Sequence, residues 1–111
     1  MQAEWPVRVY YEDTDAGGVV YHAGYLRFLE RARTEWLRTL GYSQVRLKQE
    51  ESLVFTVVGM TLDFLKPARL DDLLRVRSQV RLAGGASVEF QQEILREAER
   101  ILAATVRVAC L

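Results

Sequence analysis

Residues 25–40, Tyr-Leu-Arg-Phe-Leu-Glu-Arg-Ala-Arg-Thr-Glu-Trp-Leu-Arg-Thr-Leu, decide the fold. Tyr25, Phe28, Leu29, Ala32, Trp36 and Leu40 recur at three- and four-residue spacing, which lays one apolar stripe along an α-helix. Arg27, Glu30, Arg31, Arg38 and their neighbours fill the remaining surface. Gly41 follows where a left-handed C-terminal cap is wanted, and Tyr42 to about Glu51 reads as a short second helical piece. A stripe that includes Phe28 and Trp36 needs broad apolar cover, which one sheet face supplies.

The flanking segments supply that sheet. Upstream, Val7 and Val9 alternate with Arg8 and Tyr10 and continue into Tyr11, a short strand with one apolar face. Residues 12–18, Glu-Asp-Thr-Asp-Ala-Gly-Gly, are turn chemistry, because glycine supplies positive φ and aspartate bonds nearby backbone. Downstream of Leu53, Val54, Thr56, Val58, Met60, Leu62 and Phe64 alternate on one face until Lys66-Pro67, where a ladder donor is lost. Leu74, Val76, Ser78, Val80 and Leu82 alternate with Arg75, Arg77, Gln79 and Arg81 in a half-buried strand. Gly84-Gly85 marks a hairpin. Val88, Phe90, Gln92 and Ile94 form the next strand, a turn follows around Glu97-Ala98-Glu99, and Ile101 to Leu111 forms the last. The expected architecture is α+β: a five-stranded antiparallel sheet wrapped around one long helix, the hot-dog fold, as a single domain over residues 1–111.

Composition excludes several function classes. The chain has 111 residues, half of them hydrophobic, with 15 Lys plus Arg against 15 Asp plus Glu. No basic excess favours nucleic acid, so a phosphate-bearing ligand must meet a local Arg or Lys cluster. One cysteine, Cys110, rules out an intrachain disulfide or an all-cysteine metal site and reads as a small core residue. Met1 to Pro6 lacks the pattern of a signal peptide, and no run approaches the length of a membrane span. The expectation is a cytoplasmic protein.

Residues 8–29 run Arg-Val-Tyr-Tyr-Glu-Asp-Thr-Asp-Ala-Gly-Gly-Val-Val-Tyr-His-Ala-Gly-Tyr-Leu-Arg-Phe-Leu. This stretch resembles the signature of the 4-hydroxybenzoyl-CoA thioesterase-like hot-dog enzymes, and its Tyr-Tyr-Glu-Asp-Thr-Asp-Ala-Gly-Gly-Val-Val-Tyr-His run resembles the Tol-Pal-associated, YbgC-like branch. The likeness continues through Glu30-Arg31-Ala32-Arg33-Thr34-Glu35 and Asp63-Phe64-Leu65-Lys66-Pro67-Ala68. It implies hydrolysis of an acyl-CoA thioester without a cofactor, Asp15 as the catalytic carboxylate, and His22 and Tyr11 beside it. It also implies backbone N–H groups around His22 for the thioester carbonyl, and substrate contacts along Gly17, Gly18, Val19, Tyr21 and Tyr25. Lys66 and Arg69, near the strand break, are candidates for the CoA phosphates. The branch implies short or medium aliphatic acyl chains. One departure is Gly24, a position commonly Asn in this branch; another is the end at Leu111, where relatives usually continue.

Physical chemistry points the same way. Thioester hydrolysis needs donors for the developing oxyanion and a carboxylate that activates water or attacks the carbonyl carbon itself. A glycine turn opening into a helix N-terminus offers unpaired N–H groups and a favourable dipole, with Asp15 a few residues ahead. The two carboxylate roles stay open at this point. Asp13 and Glu12 read instead as turn-stabilising residues. His22, the single histidine, could orient Asp15 or substrate rather than react. Asp13, Asp15 and His22 lack the second histidine of a usual metal site, so no metal is expected.

Two rivals share the fold. Dehydratases acting on acyl-carrier-protein substrates use histidine in a different context from this one. A non-catalytic module binding acyl-CoA, acyl carrier protein or a cell-envelope partner would keep the fold without turnover. The strand from Leu53 to Leu62 carries no Lys, Arg or Pro and is apolar or β-branched at almost every position. That is the profile of an edge covered by a partner, and implies a homodimer or a dimer of dimers (a homotetramer). In the family that this resembles, two subunits join their sheets and the acyl-CoA sites lie between them.

Overall fold

The computed structural model describes residues 2–41, 43–52, 54–82 and 86–111. Strand β1 (Gln2–Arg8) is followed by a 3-10 turn (Tyr11–Asp13), helix α1 (His22–Thr39) and a short helix α2 (Gln44–Glu51). Strands β2 (Phe55–Phe64), β3 (Leu73–Leu82), β4 (Ser87–Arg96) and β5 (Glu99–Cys110) complete the chain. They form one antiparallel sheet in the order β1-β3-β4-β5-β2. The α1 helix connects the two edge strands and lies across the concave side, which is the expected hot-dog arrangement.

The core sits between α1 and the inward residues of the strands. Phe28, Leu29, Leu74, Val76, Ile94, Leu102 and Val106 are fully buried, and Trp36 meets Phe90 edge to face at 5.5 Å between ring centroids. Burying each of these side chains stabilises the fold by roughly 1.5–3 kcal/mol before entropic losses. The helix starts three residues before the periodicity begins. His22, Ala23 and Gly24 belong to it, but they add nothing to the apolar stripe, so the pattern could not mark them.

Two strand expectations need correction. The first strand ends at Arg8, and Tyr11 opens the 3-10 turn instead of continuing the ladder. Asp13 is the cause: its Oδ2 accepts the Tyr10 N–H at 2.8 Å, and its own N–H bonds to the Tyr10 carbonyl. The second is the face of β2. A bulge between Val57 and Gly59 leaves Val58 without an opposite residue. Phe55 and Val57 therefore share the inward face with Met60, Leu62 and Phe64, opposite Cys110, Val108, Val106, Ala104 and Leu102. One inserted residue reverses the alternation, because side chains on a strand have a period of two. The proposed hairpin at Gly84-Gly85 lies outside the described residues, as do Tyr42 and Leu53, although β3 and β4 pair as a hairpin requires.

Candidate active site

The segment between β1 and α1 is a knot of local hydrogen bonds built on Asp13. Asp13 is 4% exposed, its Oδ1 receives Arg27 Nη2 at 3.3 Å, and its carbonyl accepts the Tyr21 N–H at 3.1 Å. Arg27 comes from the second turn of α1, so this buried carboxylate fastens the loop to the helix it precedes. A bridge between Thr14 and Val20 then closes residues 15–19 into a protruding turn. Gly18 has φ +77°, a left-handed conformation that glycine adopts without strain. The turn is moored on its other side, where Val20 N–H donates to the Ala68 carbonyl at 2.8 Å and Val19 bridges to Arg69.

Asp15 stands exposed on this turn. Its Oδ1 accepts the Gly17 N–H at 2.8 Å, while its N–H donates to the Val19 carbonyl at 2.9 Å. Among the described residues nothing bonds to Oδ2. One oxygen fixes the carboxylate and the other is left without a partner among the described residues. A Cβ at Gly17 would come within 3.2 Å of Oδ1, so the missing side chain keeps that carboxylate seat open.

The helix begins seven residues later without a side-chain cap. Gly24 N–H turns back to the Tyr21 carbonyl at 2.7 Å, and the N–H groups of His22 and Ala23 have no acceptor among the described residues. Unpaired donors at a helix N-terminus carry partial positive charge and suit an oxygen that gains negative charge. The His22 ring is exposed and packs on Phe64, with centroids 4.5 Å apart. A Cβ at Gly24 would meet Val20 Cγ1 at 3.1 Å and the Asp13 carbonyl oxygen at 3.6 Å. Any side chain there must move Val20, which explains glycine in this chain.

A family model described as Thioesterase superfamily matches residues 17–103. The chain belongs to the thioesterase superfamily. A relative from Haemophilus influenzae, acyl-CoA thioesterase YbgC, is 53% identical over 107 residues, covering 96% of this chain and 79% of the relative. An Escherichia coli O6:H1 relative, acyl-CoA thioester hydrolase YbgC, is 50% identical over 108 residues, covering 96% and 80%. The crystal structure of a probable thioesterase from Bartonella henselae superposes with a TM-score of 0.96 at 36% identity, covering all of this chain and 92% of that one. Likeness over the whole sheet and helix places this thioesterase-superfamily chain in the hot-dog fold.

The remaining candidate residues divide by position. Tyr11 is 81% exposed on the 3-10 turn, and Tyr21 is exposed at the helix cap. Tyr25 is in the core, where its hydroxyl oxygen accepts the Ala68 N–H at 3.0 Å and its ring packs on Phe28 and Phe64. Burial raises its phenol pKa against the opposing pull of the Ala68 hydrogen bond. Lys66 is paired with Glu99 at 2.7 Å, whereas the Arg69 guanidinium has no hydrogen bond or ion pair among the described residues.

Three features escaped the sequence reading. The Asp13–Arg27 pair joins residues fourteen apart, and Phe64 reaches His22 from the far end of β2; neither pairing leaves a periodic trace. The third is a buried polar chain through Arg33, Gln92 and Ser78. It did leave a signal, since Arg33 stands four residues after Leu29 and one after Ala32, on the apolar face of the helix. A cavity of about 930 Å³ lies on that side, between the second half of α1, α2 and the strands. Neither Asp15 nor His22 is in its wall.

Proposed function

We propose that this protein is an acyl-CoA thioesterase in which Asp15 is the reacting carboxylate. The observation that carries this reading is the pairing, across one short moored turn, of a carboxylate with a free Oδ2 and a helix start with two unpaired N–H groups. The thioester carbonyl oxygen would lie against the His22 and Ala23 N–H groups, which meet the charge that develops on it. As a base, Asp15 takes a proton from water, the hydroxide adds to the carbonyl carbon, and collapse expels the CoA thiolate, which is then protonated. As a nucleophile, Asp15 adds to that carbon itself, expels the thiolate and forms a mixed anhydride that water cleaves. Both routes yield the free acid and CoA. The curated relatives named as acyl-CoA thioesterases support this substrate class.

His22, held by Phe64, fits a role in orienting substrate or Asp15. Arg69 is the cation best suited to a CoA phosphate, because Lys66 would first have to leave Glu99. The β2 edge supports assembly through that strand into a homodimer: Val57 is 45% exposed and Val58 53%, and no Lys, Arg or Pro interrupts the stretch. Two β2 strands paired antiparallel across a two-fold axis would place the acyl-CoA sites between the subunits. No helix among the described residues is long and apolar enough to cross a membrane, and the balanced charge and single cysteine fit a cytoplasmic setting.

The test is turnover of short, long and aromatic acyl-CoAs, followed by detection of free thiol. Thiol release that depends on Asp15 supports the hydrolase. Its absence from well-folded protein across every chain length would favour a binding module that retains the fold.

A further inference from the structure

Arg33 is a cation buried where the apolar stripe of α1 should continue. It is 8% exposed, and the only hydrogen bond of its side chain among the described residues runs from Nη1 to Gln92 Oε1 at 3.0 Å. No carboxylate among the described residues lies within ion-pairing distance of it. Burial lowers its pKa, and the charge of Glu30 only partly offsets that. A buried guanidinium with five N–H donors is costly unless its charge and donors are met.

The neighbours of Arg33 hold it in place through Nη1, and its remaining nitrogens are not among the fully buried unpartnered atoms of the described residues. Gln92 is 1% exposed, and its Nε2 donates to the Leu29 carbonyl at 3.1 Å and to Ser78 Oγ at 2.9 Å. The Gln92 amide is thereby locked with Oε1 towards Arg33. Arg33 also lines the 930 Å³ cavity, whose other walls include Trp36, Leu37, Phe55, Phe90 and Val108. Glu30, Thr34, Arg38 and Gln44 are also in its lining, and a mostly apolar pocket with a few polar groups is the usual form of a small-molecule site.

The position of the cavity along β2 relates it to an active centre only through the dimer proposed above. Within one chain, His22 lies by Phe64 at one end of β2, and the cavity lies by Phe55 at the other. Antiparallel pairing of two β2 strands, centred on the strand, sets the Phe64 end of one beside the Phe55 end of its partner. In the dimer proposed above, the cavity of one subunit would then lie on the side of the Asp15 turn of the other.

Resting on the hydrolase reading above, we propose that this cavity receives the acyl group and that Arg33 hydrogen-bonds an oxygen carried by that group. The preferred acyl group bears a carboxylate, hydroxyl or oxo function beyond the thioester and is not a plain alkyl chain. Arg33 is thus a specificity-determining residue, since a site built around a polar contact discriminates strongly against an analogue that lacks it.

The experiment compares adipoyl-CoA and 6-hydroxyhexanoyl-CoA with heptanoyl-CoA, three chains of similar length. Wild-type protein should favour at least one oxygen-bearing substrate by about tenfold or more in kcat/KM. Arg33→Met should bring that ratio close to one, while Arg33→Lys keeps part of it. The same pairs are measured for binding to Asp15→Asn by calorimetry, with and without Arg33→Met. Binding that discriminates through Arg33 without any turnover by the wild type would uphold this inference and remove the hydrolase reading. Equal handling of the three chains by wild type, or a preference that survives Arg33→Met, would overturn it. Should Arg33→Met misfold, Arg33→Lys decides: a reduced ratio upholds the inference and a ratio equal to wild type overturns it.

Discussion

The rings of His22 and Phe64 lie 4.5 Å apart, tilted by 31°, and join the first residue of α1 to the last residue of β2. This contact couples the helix N-terminus to the edge strand. Phe64→Ala should therefore loosen the histidine without touching Asp15. The expected result is a several-fold rise in KM with a smaller change in kcat, and His22→Ala should behave similarly. A kcat loss as large as that of an Asp15 variant would instead make His22 a participant in the chemistry.

Asp13 and Asp15 are two residues apart and have opposite surroundings. Asp13 is buried on Tyr10 N–H and Arg27, whereas Asp15 is exposed. Asp13→Ala should destabilise the fold by about 1–3 kcal/mol, because it removes the acceptor of the part-buried Tyr10 N–H bond and releases Arg27. Chemical denaturation reads this directly. A stability equal to wild type would contradict the structural role of Asp13.

The turn that carries Asp15 is moored to a segment stabilised by an acid-sensitive cluster. Burial alone would raise the Asp72 pKa, but hydrogen bonds from Arg69 N–H and the Arg96 side chain outweigh it and hold the carboxyl below its ordinary range. Hydrogen bonds from Lys66 and Arg96 lower Glu99 likewise. Both native carboxyls bind protons more weakly than in the unfolded chain. Their contribution is complete above the unfolded value of about 4 and is lost as pH falls through the lower native value. Melting temperature should fall on acidification below about pH 4, more steeply in wild type than in Asp72→Asn. Parallel curves would exclude this linkage.

An exposed β2 edge that forms the proposed dimer must be sensitive to charge. Val58 occupies the bulge and is 53% exposed, so Val58→Lys adds the type of residue that natural edges use to prevent pairing. Light scattering should show a smaller species, with turnover lost in step over a dilution series. A fully active monomer would contradict both the edge pairing and the shared site.

Most of the architecture is legible in the sequence because the elements that pack on the core repeat their apolar residues at helix or strand spacing. Phe28, Leu29 and Ala32 announce the helix, and Leu74 and Val76 the sheet. What was hidden depends on single residues that override a pattern. Val58 reverses the face of β2 by insertion, and Asp13 ends β1 by drawing Tyr10 N–H to its carboxylate. At the site, the Asp15 turn was legible as glycine and aspartate chemistry beside a helix start. The Phe64 contact with His22 and the Arg33–Gln92 bond were not, since each joins elements distant in sequence.

The most direct measurement is kcat/KM of Asp15→Ala and Asp15→Asn on the best acyl-CoA, with circular dichroism and melting temperature as controls for folding. Asp15 is exposed and among the described residues its side chain bonds only Gly17 N–H, so both variants should fold. With Asp15 as the reacting carboxylate, nearly all turnover disappears from each. Retention of more than about a tenth of wild-type kcat/KM, a loss under roughly 1.4 kcal/mol of transition-state stabilisation, would contradict that assignment.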